Sequence, residues 1–389
     1  MRLEFSSAER QFRDQVRTWV EVNKPKEKRP VRGLAVREFD LAWQKAKHEG
    51  GFGAVSWPRK YGGAGLSVVE QLIWFEELAK ADAPGVGCLS PALNHAGPTL
   101  IAMASEEQKT FHLPKILAGE VVWSQGFSEP QAGSDLGGLR LRGEIVGDHM
   151  VVNGQKIWTS YAHFADWQET LVRTDATLGK HKGITWTIID MKTPGIDIRP
   201  LETLDGGQHF CEVFYDNVRV PLANVVGGVD QGWRVAMTTL VTERAAAAAS
   251  LGATVGRAVE QLIEIAKNRT GPDGRTLYSD EAIARDLARH RVEAQALRAM
   301  SYAIISREAK GVEAGPESAL PFLYFGELLQ RVRATGIELL GGEALALDSG
   351  LEQWARGFLA DRTYVIAGGS AEVRRNIIAQ SVLGLPRSY

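Results

Sequence analysis

Apolar residues recur at helical spacing in the first part of the chain. In the segment VVEQLIWFEELAKAD, Val69, Leu72 and Ile73 lie three or four residues apart, which predicts a helix with one buried face. Breaks rich in Gly and Pro, such as SWPRKYGGAG, separate the helical stretches. The segment SEEQ, which begins at Ser105, predicts a capping box at the start of another helix. The pattern therefore predicts a helical domain over residues 1–120.

Between residues 121 and 228 the spacing changes to short runs rich in β-branched and aromatic residues. These runs are LRLRGEIVGDHMVVNGQKIWT, GITWTIIDM and CEVFYDNVRVP, and their alternation is typical of strands. The dipeptides Gly147-Asp148 and Asn153-Gly154 predict tight turns between strands. We therefore predict a middle β domain over residues 121–228.

From residue 229 to residue 389 the helical spacing returns. Two long segments, WRVAMTTLVTERAAAAASLGATVGRAVEQLIEIAK and AIARDLARHRVEAQALRAMSYAIISREAK, predict a bundle of long helices. The fold class is therefore mainly α with a central β domain. A doubly wound nucleotide-binding fold is disfavoured, because such a fold alternates strands and helices throughout.

Composition and charge narrow the class of protein. Hydrophobic residues make up 44% of the 389 residues and charged residues 24%, which are ordinary values for a packed protein. The net charge is -2 without a basic block, so we expect no nucleic-acid partner. The two cysteines are too few for a disulfide framework and suit the cytoplasm. No apolar run reaches about 18 residues, so we expect no membrane span.

Two segments of the β domain offer candidate binding groups. The loop GFSEPQAGSDLGG, residues 126–138, carries main-chain N–H groups and hydroxyls that can bind an anion or a polar ring edge. The alternative interpretation is that this loop is a plain surface turn, since such turns have the same composition. The strand end KIWTS carries an indole and two hydroxyls, where a flat aromatic ligand could be covered, although a strand Trp is usually a core residue.

Glu243 is the candidate general base. Its neighbours at helical spacing are Thr239, Leu240, Ala246 and Ala247, which form a small and largely uncharged surface. Burial of a carboxylate disfavours its charged form, and this is the condition for a useful base. A surface Glu paired with a distant cation is the alternative. The histidines and cysteines show no spacing typical of a metal site, and no GxSxG motif supports a hydrolase.

The segments match one family in order and spacing. They are FSEPQAGSD, VVNGQKIWTS, a GW followed by a helix that contains ER, then NRT, ELLGG and IAGGSAEVRRNIIAQSVLG. The whole chain resembles an acyl-CoA dehydrogenase, and the match includes WPRKYGG and EEQKTFHLPKILAGE in the first domain. The resemblance implies an N-terminal helical domain, a middle β domain and a C-terminal four-helix bundle.

The resemblance also implies an FAD site. The loop from Phe127 to Ser134 would follow the flavin edge, Trp158 would cover the ring, and Ser160 would lie near flavin N5. Ser134 would also contact the CoA arm, and Arg244 would shape the substrate end. The cofactor-binding residues that the resemblance assigns are Phe127, Ser128, Ser134, Trp158, Thr159, Ser160, Arg269, Glu338, Gly341, Gly342, Ser370 and Glu372.

One departure from the family concerns the base. Most members carry the catalytic Glu in YEGT near the C-terminus, whereas Gly368 stands at that position here. In the isovaleryl and long-chain branches, the base comes from the helix position that matches Glu243. The resemblance therefore implies Glu243 as the base and the N–H of Gly368 as a donor to the thioester carbonyl. The implied reaction forms a trans-2-enoyl-CoA, with electron-transferring flavoprotein as the electron acceptor.

Two alternatives stay open. Some related members form mixed tetramers in which only one type of subunit carries the base, so the chain could be a non-catalytic or partner-dependent subunit. Relatives similar to nitroalkane oxidase or flavin hydroxylases react with oxygen instead. The segments KIWTS and IAGGS are similar to those of dehydrogenases for branched, dicarboxylic or steroid side-chain acyl-CoAs. The resemblance implies a homo-tetramer or a mixed tetramer.

Overall fold

The computed structural model describes residues 4–312, 315–346 and 350–387, and it describes only the main chain of residues 241–249. Its helices are α1 Ser7–Asn23, α2 Leu34–Glu49, α3 Val68–Lys80, α4 Gly97–Met103, α5 Glu106–Leu117, α6 Gly232–Asn268, α7 Glu281–Glu308, α8 Ala319–Leu340, α9 Gly342–Leu345, α10 Glu352–Ala360 and α11 Ala371–Ile377. A wide helical turn, Pro91–Ala96, leads directly into α4. None of the described helices is long and apolar enough to cross a membrane.

The strands lie between α5 and α6. They are β1 Trp123–Gly126, β2 Arg142–Val146, β3 His149–Ser160, β4 Trp167–Arg173, β5 Ile184–Asp190, β6 Ile196–Leu201, β7 Phe210–Pro221 and β8 Val225–Val226. They form one sheet in the order β6-β7-β3-β2-β4-β5-β8, and β1 pairs in parallel with β4. The prediction of a mainly α fold with a central β domain is confirmed.

Local sequence explains where the helices begin. The predicted capping box is present, because Gln108 N donates to Ser105 Oγ (3.2 Å) and Ser105 N donates to Gln108 Oε1 (3.0 Å). Helix α3 begins in the same way, with Ser67 and Glu70 in the two positions. Each box satisfies main-chain N–H groups that the first helical turn leaves without an internal acceptor.

The turn prediction is correct at one dipeptide and wrong at the other. Gly147 and Asp148 connect β2 to β3, and Gly147 has a φ of 62°. Asn153 and Gly154, however, lie inside β3, where the pairing with β7 shifts register between Val152 and Gly154. Gly154 has a φ of 138°, which a side chain would disfavour. Gly154 therefore lies at a β-bulge in a long strand and not in a hairpin turn.

The chain packs as two compact units. One unit contains Met1–Val22, Ser67–Ala83 and Arg244–Tyr389, and the other contains Asn23–Leu66 and Pro84–Glu243. Helices α1 and α3 thus pack with the C-terminal helices, while the sheet packs with α2, α4, α5 and the start of α6. The domain boundaries at residues 120 and 228 stay a prediction.

A buried carboxylate connects three helices of the first unit. Glu76 of α3 accepts hydrogen bonds from Arg13 Nη2 of α1 (2.8 Å), and from Arg298 Nε (3.0 Å) and Tyr302 Oη (2.8 Å) of α7. Burial by itself raises the pKa of Glu76, but Arg298 and the groups beside it outweigh burial and lower that pKa. The network therefore stabilises the packing of α1 and α7 on α3 while Glu76 stays charged.

Glu76→Gln removes the charge and keeps the shape of the side chain. We expect a loss of about 1.5–3 kcal/mol in the free energy of unfolding near neutral pH, the usual worth of hydrogen bonds to a charged group. Because the folded pKa of Glu76 is lowered, its contribution is present above the unfolded carboxylate pKa of about 4.3 and disappears as the pH falls through the lower folded value. Urea denaturation across this pH range measures the difference.

The matched control is Glu260→Gln in the same unit. Glu260 pairs with Arg291 at 2.8 Å, but both side chains are well exposed, so we expect a change below about 1 kcal/mol. A difference between Glu76→Gln and wild type that stays constant from neutral pH to acid would contradict the assigned role of the charge.

Candidate active site

A buried ion pair anchors the loop that follows β1. Lys156 of β3 is fully buried, and its Nζ donates to Phe127 O (2.9 Å) and to Glu129 Oε1 (2.8 Å). Glu129 also accepts from Arg140 N (2.7 Å) and Leu141 N (2.8 Å). One carboxylate therefore holds both ends of the loop, and the ammonium connects that carboxylate to β3.

The charges of this pair compensate each other. Burial raises the pKa of Glu129, but the charge of Lys156 and the two main-chain donors outweigh burial and lower it. Burial lowers the pKa of Lys156 to about 8, while Glu129 opposes that shift. Both side chains are therefore charged near neutral pH. The attraction between them offsets the desolvation cost of burying each charge.

The strand end KIWTS is shaped by a second bulge in β3. The pairing partner changes from Val213 at Lys156 to Cys211 at Thr159, so β3 carries one extra residue. Trp158 lies in the bulge with a φ of 58°, and 57% of its surface is exposed. Its ring contacts Phe210 edge-on at 5.9 Å. The bulge thus keeps an indole out of the core, which decides against the reading of Trp158 as a core residue.

The loop and the bulge lie side by side. Ile157 N donates to Ser128 O at 3.0 Å, so the main chain joins the two segments next to Trp158. Thr159 is fully buried, and its Oγ1 has no hydrogen-bond partner among the residues that the structure describes. Ser160 is half-buried, and Ser134 is exposed farther along the loop. An exposed aromatic face beside an unsatisfied hydroxyl fits a flat ligand with a polar edge, such as the flavin of FAD.

The remaining predicted cofactor residues lie in the other unit. Arg269 follows α6 and forms an ion pair with Glu343 of α9. Glu338 is exposed near the end of α8, and the exposed Gly341 and Gly342 follow that end; Gly341 has a φ of 54°. These residues form one group, because Arg269 is held next to the α8–α9 corner that carries the others.

The segment around Gly368 is held by an arginine. Arg374 of α11 is buried and donates to Tyr364 O (2.8 Å) and Ala367 O (2.7 Å). Gly368 is exposed and has a φ of 66°, in the left-handed region that favours glycine. Ser370 caps α11 by accepting from Val373 N at 3.3 Å. Glu372 is exposed in the first turn of the same helix.

The side chains of Glu243 and Arg244 lie outside the described residues. Their main chain belongs to α6. One helical turn before Glu243, the buried Thr239 Oγ1 lies 2.8 Å from Thr99 Oγ1 of α4, so this part of α6 packs on α4.

Glu129 and Lys156 are not among the residues predicted from the sequence, although both lie in the predicted binding segments. A lysine within a predicted strand is a signal, because a buried ammonium needs an acidic partner. Lys156 is fully buried in the structure. Glu169, a carboxylate that is fully buried in β4, was not predicted either. The signal there was an acidic residue inside the otherwise strand-like run WQETLVR.

Family models match successive parts of the chain. They are acyl-CoA dehydrogenase, N-terminal domain, over residues 6–120, acyl-CoA dehydrogenase, middle domain, over residues 124–218, and acyl-CoA dehydrogenase, C-terminal domain, over residues 230–383. The N-terminal and middle models adjoin between α5 and β1, whereas the stretch between the middle and C-terminal models contains the end of β7 and β8.

Several relatives match over nearly the whole length. Acyl-CoA dehydrogenase IpdE1 of Mycobacterium tuberculosis is 35% identical over 391 residues, which cover 97% of this chain and 98% of IpdE1. A chain of the ChsE4-ChsE5 complex from Mycobacterium tuberculosis is 31% identical, with a TM-score of 0.87. The match covers 100% of this chain and 100% of that chain. The Tcur3481-Tcur3483 steroid ACAD is 30% identical, with a TM-score of 0.87 and the same coverage.

Lys156→Met tests the anchoring of the loop. The substitution preserves length but leaves the carboxylate of Glu129 buried without its cation, which costs about 3–5 kcal/mol when one partner of a buried pair is removed. We expect a stability loss of this size together with faster amide exchange in residues 127–134. Urea denaturation measures the first effect, and hydrogen–deuterium exchange with mass spectrometry measures the second.

Lys180→Met is the matched control, because Lys180 pairs with Asp135 at 2.7 Å while both side chains are more than half exposed. Its loss should stay below about 1 kcal/mol. Amide exchange in residues 127–134 that stays at the wild-type rate in Lys156→Met would show that the ion pair does not hold the loop.

Proposed function

Because the chain belongs to the acyl-CoA dehydrogenase family, we propose that it catalyses the FAD-dependent α,β-dehydrogenation of an acyl-CoA to a trans-2-enoyl-CoA. The observation that carries this proposal is the pairing of an anchored loop with the bulged strand end at Trp158. The exposed indole and the unsatisfied hydroxyl of Thr159 lie there together. Nothing in the packing of the sheet requires either feature.

The residues that we propose for FAD binding fall into two groups. In the β domain, Trp158 would cover the flavin ring, Phe127 and Ser128 would line its edge, and Thr159 and Ser160 would offer hydroxyls near N5. The C-terminal residues would hold the adenosine and pyrophosphate parts, in part across a subunit boundary; they are Arg269, Glu338, Gly341, Gly342, Ser370 and Glu372. Bound FAD would supply the acceptor for the hydride that leaves the β-carbon, which no side chain can accept.

Groups of the protein would remove the α-proton and stabilise the charge that develops. Glu243 would remove the α-proton, whose acidity rises when negative charge can develop on the thioester oxygen. The N–H of Gly368 would donate to that oxygen and stabilise the developing charge. Glycine at this position permits the left-handed main chain, with a φ of 66°, that the segment adopts. Ser134 would hold the CoA arm, and Arg244 would shape the substrate end.

The similar structures support a finer proposal for substrate and assembly. One is a complex of two different chains, ChsE4 and ChsE5, and another is a steroid ACAD composed of Tcur3481 and Tcur3483. The substrate that we propose is a steroid-derived acyl-CoA, and the assembly is a mixed tetramer with a second acyl-CoA dehydrogenase chain. The proposed electron acceptor is electron-transferring flavoprotein.

Glu243→Gln tests the base. The substitution keeps shape and hydrogen bonding and removes basicity, so we expect FAD and acyl-CoA to bind while flavin reduction slows by about 10²- to 10⁴-fold. Anaerobic bleaching of the flavin absorbance after mixing with a panel of acyl-CoAs measures the rate. Glu264→Gln, an exposed carboxylate farther along α6, is the control and should reduce flavin at the wild-type rate.

A second substitution checks the position of the base. Gly368→Glu in the Glu243→Gln variant restores a carboxylate at the position that most members use. We expect only partial recovery, because a Glu there adopts a left-handed main chain at a cost of about 1–2 kcal/mol. Wild-type flavin reduction by Glu243→Gln alone would exclude Glu243 as the base.

Co-expression with a second acyl-CoA dehydrogenase chain of the same organism tests the assembly. If the tetramer is mixed, the co-expressed pair should elute as a tetramer with bound FAD, whereas the chain alone should retain little FAD. Size-exclusion chromatography with light scattering and the ratio of flavin to protein absorbance measure both properties. A yellow tetramer formed by this chain alone, with one FAD for each chain, would support a homo-tetramer instead.

A further inference from the structure

The residues on either side of Thr159 and Ser160 have a left-handed main chain. Trp158 has a φ of 58° and Tyr161 has a φ of 54°. Residues with a large side chain rarely adopt this conformation, because Cβ then lies too close to the carbonyl oxygen that follows. Such strain persists only where the surrounding structure holds it in place, and it is typical of functional sites. The pair of strained residues therefore points to a role for the two hydroxyls between them.

Several contacts hold Tyr161 within the unit that contains the sheet. Its N–H donates to His209 O at 2.8 Å, which continues the pairing of β3 with β7 beyond Ser160. Its ring lies edge-on to His209, with 5.7 Å between the ring centroids. The ring also lies nearly parallel to that of Phe164, at 6.4 Å. The main chain and the ring are thus both fixed directly after Ser160.

The hydroxyl of Tyr161 lies beside an ion pair with a buried carboxylate. Arg29 donates to both oxygens of Asp40, from Nε at 2.7 Å and from Nη2 at 2.6 Å. The N–H of Cys88 donates to the same carboxylate at 2.7 Å. Burial raises the pKa of Tyr161, and the neighbouring Arg29 guanidinium opposes that rise. Tyr161 therefore connects the end of β3 with the residues before α2 and, through Asp40, with α2 itself.

A second arginine holds the residues that follow Tyr161. Arg37 of α2 donates to Phe164 O, and its Nη2 donates to Asp166 Oδ2 at 2.9 Å. The same oxygen of Asp166 accepts from Val122 N at 2.9 Å, directly before β1. The segment 161–166 is therefore fixed at its start and at its end, and Ser160 immediately precedes it.

We propose that Tyr161 is a positioning residue that fixes the hydroxyl of Ser160 at the edge of the flavin. The inference rests on the proposed function, in which Trp158 covers the flavin ring of FAD and Ser160 lies near N5. Tyr161 acts through the main chain, because its contacts with Arg29 and His209 hold the chain that follows the hydroxyl. The N5 atom of oxidised flavin can only accept a hydrogen bond, so a hydroxyl that donates to it stabilises the oxidised flavin more than the reduced one.

Tyr161→Gly and Tyr161→Ala test the proposal in the FAD-loaded protein. Both variants lack the ring and the hydroxyl, but Gly adopts a φ of 54° without strain and Ala does not. We expect both to bind FAD roughly 10-fold more weakly, the worth of about one hydrogen bond. We also expect the midpoint potential of bound FAD to rise by about 30 mV, a tenfold change in the equilibrium of a two-electron couple. Fluorescence titration with FAD and reductive titration against reference dyes measure the two quantities.

Tyr161→Phe and Arg29→Lys test the connection through the hydroxyl. Phe keeps the ring, and Lys keeps a positive charge beside Asp40 without the planar pair of donors. Each single variant should bind FAD about 3-fold more weakly. The double variant should bind no more weakly than the weaker single variant, because both changes break the same connection. Losses that multiply in the double variant would overturn the role of the Arg29 contact.

Asn217→Gly is the matched control. Asn217 also has a left-handed main chain, with a φ of 52°, and it lies in the same sheet. It is seven residues along β7 (217 − 210) from Phe210, which pairs with Ser160. Its side chain contacts Asn153 at a distance of 3.4 Å between Nδ2 of Asn153 and its Oδ1. The control should bind FAD as tightly as wild type and leave the midpoint potential unchanged.

This proposal and the proposed function fail in different ways. An unchanged FAD affinity and an unchanged midpoint potential in Tyr161→Gly overturn the positioning role and leave the proposed dehydrogenation intact, even if the variant is less stable in urea. Wild-type behaviour of Tyr161→Gly beside a changed Tyr161→Ala also overturns it, because the main-chain conformation alone would then be sufficient. Bound FAD that no acyl-CoA reduces counts against the proposed function, whereas the expected shifts of potential in the variants still support the role of Tyr161.

Discussion

The ion pair between Lys156 and Glu129 is the constraint on which the candidate site depends. A lysine in the middle of a sheet has no access to water, so its ammonium must find a negative charge nearby. Glu129 supplies that charge and at the same time binds the main chain at both ends of its own loop. The loop is therefore held to the strand whose next residues form the Trp158 bulge. Together with the hydrogen bond from Ile157 N to Ser128 O, the pair keeps the loop beside the indole.

Buried charge recurs in this protein where elements distant in sequence meet. Glu76 connects α1, α3 and α7 in one unit. In the other unit, Glu129 connects its loop to β3, and Glu169 meets Gln125 of β1 and His95. Glu76 and Glu129 each lie beside basic side chains that offset the cost of burial, namely Arg13 and Arg298 for Glu76 and Lys156 for Glu129. These two carboxylates therefore connect distant elements as charged groups.

The glycine at position 368 and the candidate base Glu243 are related. A catalytic carboxylate near residue 368 would extend from a segment whose main chain is left-handed there, at φ 66°. Glycine accepts this conformation without strain and leaves space that a Glu side chain would fill. A carboxylate on α6 instead extends from a regular helix, which restricts its rotamers. In the proposed assignment the base therefore lies on a regular helix rather than in a loop.

The sequence by itself determined the order of helices and strands, the capping box at Ser105, and the membership in a family through FSEPQAGSD and KIWTS. These features depend on periodicity and on residues close together in the chain, so they are readable without coordinates. Only the tertiary structure decided that Asn153-Gly154 is a bulge, that Trp158 is exposed, and that Lys156 pairs with Glu129. It also brought His95, Gln125 and Glu169 together, from positions up to 74 residues apart (169 − 95). The reason is physical, because a buried charge is defined by its partner, and strand register and helix packing choose that partner without leaving a local signal.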